Sequence, residues 1–382
     1  MSSREHRVWH LLTCEYPPVV GGVSDYTSRM ARSLADDGDE VHVWCPGRTV
    51  REDGDGVTVH AQLGRLGPTD LRRAGARLDG FPGPRRLLVQ WVPHGFGYYS
   101  MNVWFCAWLA ARAWSGDRVE LMVHEPFLAF RPLPVRYLVI AVVHRLMTLI
   151  LLAASTRVWV AIPAWERALR PYALGRRLRM DWLPIPSCIL PSHAEAEADA
   201  RGPDCEDRPV IGHFSSFGPH VVEMLEERLQ WLLEQDPEPI VKLVGQGSEQ
   251  CRDAFVRRHP TWAGRVHATG YVADRDLARC LEACDLFVQP YPDGITSRRT
   301  SAMACLSSGR PLVTTCGHLT EPLWAEAAAV AMASPSDVAG FTSMVAELMG
   351  SGEGRRELGD RGRRLCETRF SFQGVVAALR AA

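Results

Sequence analysis

Lysine is nearly missing from this chain. Lys242 is the only one in 382 residues, so arginine supplies almost all of the fixed positive charge. Other absences exclude whole classes. No CxxC pair occurs among the eleven cysteines. Cys280 and Cys284 stand four apart without a partner pair, so neither a zinc site nor a disulfide framework is expected, and an odd, scattered set reads as free thiols in a reducing compartment. There is no GxGxxG fingerprint, no Walker loop and no DxD-type motif in a suitable loop. The start, MSSREHRVWHLL, lacks the long apolar core of a signal peptide. The most apolar stretch, YLVIAVVHRLMTLILLAA (137–154), is broken at its centre by His144 and Arg145. Charge there is expensive in lipid, so a buried or amphipathic helix is expected, with a position on a membrane surface as the alternative. The arginines are scattered without aromatic interleaving, which argues against a nucleic-acid partner.

What is present suits two domains. The length corresponds to two domains of ordinary size, and 46% hydrophobic with 23% charged residues is usual for globular chains. Net charge is −1 but unevenly spread: residues 1–182 carry 23 Arg against 17 Asp and Glu (+6), and the remainder carries 20 basic against 27 acidic residues (−7). A basic front half is compatible with an anionic partner.

Short apolar runs alternate with helical spacing. VWHLLTC (8–14), EVHVWCP (40–46), RLLVQWV (86–92), VELMVH (119–124) and TRVWVAI (156–162) predict five buried parallel strands. YTSRMARSLADDG predicts a helix ending at Gly38. Residues 183–209 are Pro-rich, then acidic, and predict a linker. A second series follows, with strands at 209–215, 238–245, 265–270, 285–290 and 310–315 and a last helix from about Phe372. The expected fold class is α/β, with two parallel sheets covered by helices. The expected boundaries are 1–185, a linker at 186–208, a second domain at 209–368, and a final helical segment at 369–382.

Ligands of open parallel sheets bind at the carboxyl ends of strands. Four loops there carry chemistry. Gly21 and Gly22 permit close approach of backbone amides at a helix start. His94, beside two glycines, and His124 with Glu125 follow the third and fourth expected strands. A histidine there can bond a sugar hydroxyl or a phosphate. The richest loop runs from Gln289 to Met303: Asp293 can accept from sugar hydroxyls, Thr296, Ser297, Thr300 and Ser301 offer hydroxyls and amides, and Arg298 with Arg299 can meet a diphosphate in a forked geometry.

Taken in order, EYPPVVGGVSDYTSRMARSLADDGDEVHVWCPG, VELMVHEP, LVGQGSE, VHATGYV, ARCLEACDLFVQPYPDG and SSGRPLVTT resemble the retaining glycosyltransferases of the GT-B fold, family 4 (glycosyl transferases group 1), over nearly the whole chain. The resemblance implies two Rossmann-like domains with sheets facing a central cleft, the acceptor held by the first and a nucleotide sugar by the second, and a last helix that returns to the first domain. It implies a hexosyltransferase that needs no cofactor or metal, with a UDP- or GDP-linked donor and a glycan, lipid-linked or small-molecule acceptor. It places Gly21 and Gly22 near the donor diphosphate, His124 beside the transferred sugar, Gly245, Tyr271 and Val272 around the nucleotide, and Asp293 near the family's first motif glutamate. His94 and Glu125 become acceptor-side candidates, and a cytoplasmic protein, peripheral at the inner membrane face, is expected. The chain departs from the family in two places. The second motif glutamate is absent: counting from Asp293 puts Ser301 there, and counting back from Gly309 and Pro311 puts Ala304. The usual Arg and Lys after the second domain's first strand are also missing, where the chain reads GHFSSFGPH (212–220). Arg298 and Arg299 are the expected substitutes. Two competitors are a catalytically silent relative that binds a nucleotide sugar, and an NAD-dependent enzyme, which lacks its glycine fingerprint.

Overall fold

The computed structural model describes residues 6–52, 56–130, 134–189, 208–235 and 238–382. The chain divides into two compact units, one of residues 1–184 with 372–382, the other of residues 185–371.

The first unit contains β1 (Val8–Leu12), α1 (Gly22–Asp36), β2 (Glu40–Trp44), β3 (Gly47–Glu52), β4 (Val57–Gly64), α2 (Pro68–Leu78), β5 (Arg86–Trp91), α3 (Val103–Trp114), β6 (Arg118–Val123), α4 (Val135–Ala154), β7 (Ser155–Val160), α5 (Pro163–Leu169) and β8 (Arg179–Trp182). Its sheet runs β3-β4-β2-β1-β5-β6-β7-β8. All neighbours are parallel except β3, which pairs antiparallel with β4. The expected parallel sheet is present, with β3 added as an antiparallel edge strand, and RLLVQWV is the fifth strand rather than the third. The central strands are buried on both faces, as their continuous apolar runs require.

The second unit contains β9 (Val210–Phe214), α6 (Pro219–Leu233), β10 (Ile240–Val244), α7 (Ser248–Arg258), β11 (Val266–Ala268), α8 (Asp274–Glu282), β12 (Leu286–Gln289), α9 (Thr300–Ser307), β13 (Leu312–Thr315), α10 (Leu323–Ala327), β14 (Ala331–Ala333), α11 (Val338–Gly350) and α12 (Gly352–Arg369). Its six strands run β11-β10-β9-β12-β13-β14 and are parallel throughout. Ile185, expected to end the first domain, and residues 186–189, expected in the linker, belong to this unit: Ile185 is buried and its N–H donates to the Ser297 carbonyl at 3.1 Å. Residues 190–207 of the expected linker lie outside the described residues.

The last helix, α13 (Phe372–Arg380), packs on α1 of the first unit. Its buried Val375, Val376 and Leu379 supply the apolar face. Arg380 Nη1 reaches Asp37 Oδ2 at 2.7 Å and Asp39 Oδ1 at 3.0 Å, and Asp39 Oδ2 in turn accepts from Trp9 Nε1 at 2.8 Å. Arg86 stacks over the Trp9 ring at 4.0 Å, pairs with buried Glu120 at 2.7 Å and donates to the Leu379 carbonyl at 3.0 Å. These buried charges are therefore paired and hydrogen-bonded, as burial demands.

Each sheet has one topological switch point. The chain lays strands outward on one side of β1 and then crosses to β5; it does the same around β9 before crossing to β12. Loops at the carboxyl ends of the two strands that flank such a point splay apart and leave a crevice. That directs attention to the loops after β1 and β5 and, separately, after β9 and β12.

Candidate active site

In the first unit, the loops after β1 and β5 touch. A Cβ on Gly95 would lie 2.3 Å from Cys14 Sγ, so only glycine lets the two turns approach. The glycine pair opens α1 as expected, but its amides are engaged from within. Glu15 Oε1 accepts from the N–H groups of Val23 at 3.2 Å and Ser24 at 3.0 Å, and a Cβ on Gly21 would lie 2.3 Å from that carboxylate. A carboxylate there favours the helix dipole. The helix starts at Gly22, four residues before the expected Tyr26.

His124, after β6, is buried. Its Nε2 donates to Gln90 Oε1 at 2.9 Å, and its ring meets Tyr26 edge-on at 5.2 Å. Burial pushes its pKa down to about 4, so near neutral pH it is a neutral hydrogen-bonding group rather than a cation. The structure brings His94 and Glu125 together: Nε2 and Oε2 stand 3.9 Å apart, with both side chains about half exposed. His144 of α4 holds the loops that carry them. Its Nε2 donates to the Ser100 carbonyl at 2.8 Å and its Nδ1 accepts from the Leu128 N–H at 3.1 Å. Burial lowers its pKa, and the two bonds fix a neutral tautomer.

In the second unit, three glycine turns shape the carboxyl edge. Gly245 has φ +111°, and a Cβ there would lie 2.5 Å from the Ser215 carbonyl after β9. Gly247 and Gly270 also have positive φ, and the Gly270 N–H donates to Ser248 Oγ at 2.9 Å. Tyr271 follows and is exposed; Val272 is half-buried. Beside them His213, buried, donates from Nδ1 to the Val288 carbonyl at 2.8 Å. Its Nε2 therefore accepts from Ser215 Oγ at 3.0 Å, and that oxygen accepts the Phe217 N–H at 2.9 Å. The missing basic residues of this stretch are thus replaced by a neutral, self-bonded turn.

The charge sits after β12. Arg298 and Arg299 approach Asp293 Oδ2 at 3.8 and 3.5 Å. The Arg299 guanidinium lies 4.6 Å above the Tyr291 ring, and the Tyr291 hydroxyl meets Ser301 Oγ at 2.9 Å. Burial raises the Tyr291 pKa, so the phenol stays neutral. Thr300 and Ser301 form the first turn of α9, where the helix presents amides without intrahelical partners. The turn itself is braced from β13 and beyond. Gly294 has φ +85° and packs so closely on Gly317 that a Cβ would lie 2.1 Å from its nitrogen. Buried Glu321 takes the Ser297 N–H at 2.9 Å and hydroxyl at 2.5 Å on Oε1, and Trp324 Nε1 at 2.8 Å on Oε2. One expectation fails here. Thr296 and Ser297 are fully buried, so their hydroxyls are not open donors, and that of Ser297 is spent on Glu321. Of the two positions counted for the absent second motif glutamate, Ser301 meets Tyr291 and Ala304 is buried in α9.

Residues 208–351 match the family model described as glycosyl transferases group 1. Over 114 residues the chain is 32% identical to the MMP alpha-(1->4)-mannosyltransferase of Mycolicibacterium hassiacum; that match covers 29% of this chain and 27% of the relative's length. Solved structures extend the likeness to the whole fold. Sucrose-phosphate synthase from Thermosynechococcus elongatus superposes with a TM-score of 0.76 at 16% identity, covering 99% of this chain and 98% of the other. WaaG, a glycosyltransferase involved in lipopolysaccharide biosynthesis, gives 0.69 at 15% identity over 98% and 100%. Anabaena HepE in complex with UDP-glucose gives 0.64 at 14% identity over 99% and 100%. The fold is GT-B.

Sequence reasoning missed Glu15, Tyr291, His144 and Glu321 as members of these arrangements. Glu15 had one signal, an acidic residue just ahead of a glycine pair that opens a helix. His144 had another, a polar group inside an apolar helix. Glu321 had none, since its role depends on contacts between β12 and β13 loops distant in sequence.

Proposed function

We propose that the chain is a retaining glycosyltransferase that moves a hexosyl group from a UDP- or GDP-linked donor to an acceptor hydroxyl. The observation that carries this reading is the Asp293–Arg298–Arg299 group at the start of α9. Two guanidinium groups and free helix amides favour a diphosphate, while a half-exposed carboxylate can accept sugar hydroxyls. In this assignment Gly245, Tyr271 and Val272 line the nucleotide, Arg298, Arg299, Thr300 and Ser301 hold the diphosphate, and Asp293 fixes the sugar. His124, neutral, bonds the transferred sugar. The Gly21–Gly22 turn approaches the diphosphate, and His94 with Glu125 orients the acceptor, which is a glycan, a lipid or a small molecule. The departing diphosphate takes the acceptor's proton, and arginines and helix dipoles stabilise the charge that develops on it. The reaction takes place on the cytoplasmic side. The group 1 family match and the mannosyltransferase match support this reading, and the HepE complex with UDP-glucose supports a nucleotide hexose as donor.

A second reading is a silent relative that binds a nucleotide sugar without transfer. Buried Ala304, and the Glu15 carboxylate already seated on the α1 amides, favour it. Turnover separates the two. Purified protein is incubated with UDP-, GDP-, ADP- and TDP-sugars and a panel of acceptors, nucleoside diphosphate release is measured, and the anomeric configuration of any product is read by NMR. Release with one donor, a retained configuration, and loss of both in Asp293→Asn are expected. Binding without release across the panel would favour the silent relative.

A further inference from the structure

The helix α4 has two unlike sides. Toward the core it carries Ala141, His144, Met147, Thr148, Leu151 and Leu152, all buried. Away from the core it carries Val135, Leu138, Val139, Val142 and Leu146, which share one side of the helix and are between 41% and 63% exposed. The two polar residues that interrupt the apolar run turn inward. His144 bonds the Ser100 carbonyl and the Leu128 amide, and Arg145 stacks on Phe127 at 4.5 Å and Phe130 at 3.5 Å while donating to the Leu128 and Ala141 carbonyls. The outer ridge is left without a polar side chain.

Its surroundings extend the pattern. α3 packs against α4 and exposes Trp104 and Trp114, at 62% and 87%. Tyr99, 91% exposed with φ +51°, precedes the Ser100 carbonyl that His144 binds. Residues 98–115 and 126–155 contain no aspartate or glutamate. Among their described arginines, Arg112 is buried against Asp79 and Asp117, and Arg145 is turned inward. Arg136, on the first turn of α4, is exposed.

We propose that this face docks on an anionic lipid surface, with α4 lying in the plane of the interface. The occupant follows from charge and side-chain type together. An apolar ridge of several exposed aliphatic residues can enter the acyl boundary, tryptophan and tyrosine suit headgroup depth, and exposed Arg136 on helices without an acidic residue favours anionic lipid. By length and composition α4 is long enough to cross a membrane. Its inner side is part of the first unit's core, however, so it lies on the bilayer rather than spanning it.

The test is flotation of the full chain with vesicles of about 30% phosphatidylglycerol in phosphatidylcholine, against pure phosphatidylcholine. No donor or acceptor is added, so the result is independent of the proposed transfer reaction. Binding to the anionic vesicles is expected, and Val139→Glu with Val142→Glu is expected to weaken it by about tenfold or more. An unchanged melting temperature in that double variant would show that the fold survives, as exposed positions predict. No binding by the wild-type chain would overturn the proposal. So would binding that the double variant keeps in full. If the wild-type chain instead forms a dimer without lipid, by sedimentation velocity, and the double variant does not, the face is a contact between copies and the proposal also falls.

Discussion

At the scale of residues, the site rests on charged side chains that a buried carboxylate holds in place. Asp293, Arg298 and Arg299 form a partly exposed cluster, open to a ligand yet already paired. Behind it, Glu321 bonds three donors in a buried setting and so fixes the turn that presents the arginines. Its removal should cost more than its distance from the charged groups suggests, because buried donors would be left without an acceptor. Glu321→Ala is expected to lower unfolding free energy by about 2–4 kcal/mol, and Glu321→Gln by clearly less, since an amide oxygen can still accept the Ser297 N–H. Urea denaturation of the two variants measures this. The chemistry-bearing residues were legible where a single side chain carries the signal, as with His124, Asp293 and the two arginines. They were not legible where the role is to hold another residue. Nothing in the local sequence around Glu321 points to Ser297, 24 residues earlier, and Glu15 becomes informative only once α1 is known to start at Gly22.

At the scale of elements, strands were legible when they are continuous apolar runs buried on both faces, and missed when they are not. β3 and β8 carry charge and lie at the sheet edges, β4 alternates polar with apolar residues, and β14 has three residues. Helix α12 hid for a related reason. It is highly charged and contains four glycines, two of which are packing residues: a Cβ on Gly359 would lie 2.1 Å from the Gly309 carbonyl, and one on Gly362 would lie 2.7 Å from Leu306. The paired strands β1, β2 and β4 also stack His10, His42 and His60 on one face, around Trp44 and Phe81. Burial, reinforced by the neighbouring histidines, pushes His10 down to about 3 and His60 to about 4; burial alone takes His124 to about 4 and His213 likewise. The unfolded chain binds these protons near pH 6.5 and the folded chain does not. Stability is therefore full above about pH 6.5 and is lost as pH falls toward 4. The buried His124 and His213 should each contribute about 2 kcal/mol of destabilisation at pH 5. Urea midpoints at pH 7.5 and pH 5 are expected to show a lower value in acid; equal midpoints would mean that these rings are solvated.

At the scale of the molecule, two units of the same architecture carry unlike chemistry. The sequence half that supplies most of the first unit is basic and holds all the buried neutral histidines named here but His213, with an apolar surface on α4; the rest of the sequence is acidic overall yet places two arginines at one turn. The central claim is that this turn binds the diphosphate of a nucleotide sugar, in place of the basic residues missing after β9. The most direct test is the thermal shift of the wild-type chain and of Arg298→Ala with Arg299→Ala, each with UDP-, GDP-, ADP- and TDP-sugars. A ligand bound only by the folded state at about 100 times its dissociation constant adds about 2.7 kcal/mol and raises the melting temperature. The account predicts a rise with at least one nucleotide sugar, and its loss in the double variant, whose ligand-free melting stays close to wild type because both side chains are partly exposed. A folded wild-type sample that shifts with none of these donors, or a shift the double variant retains in full, would contradict it.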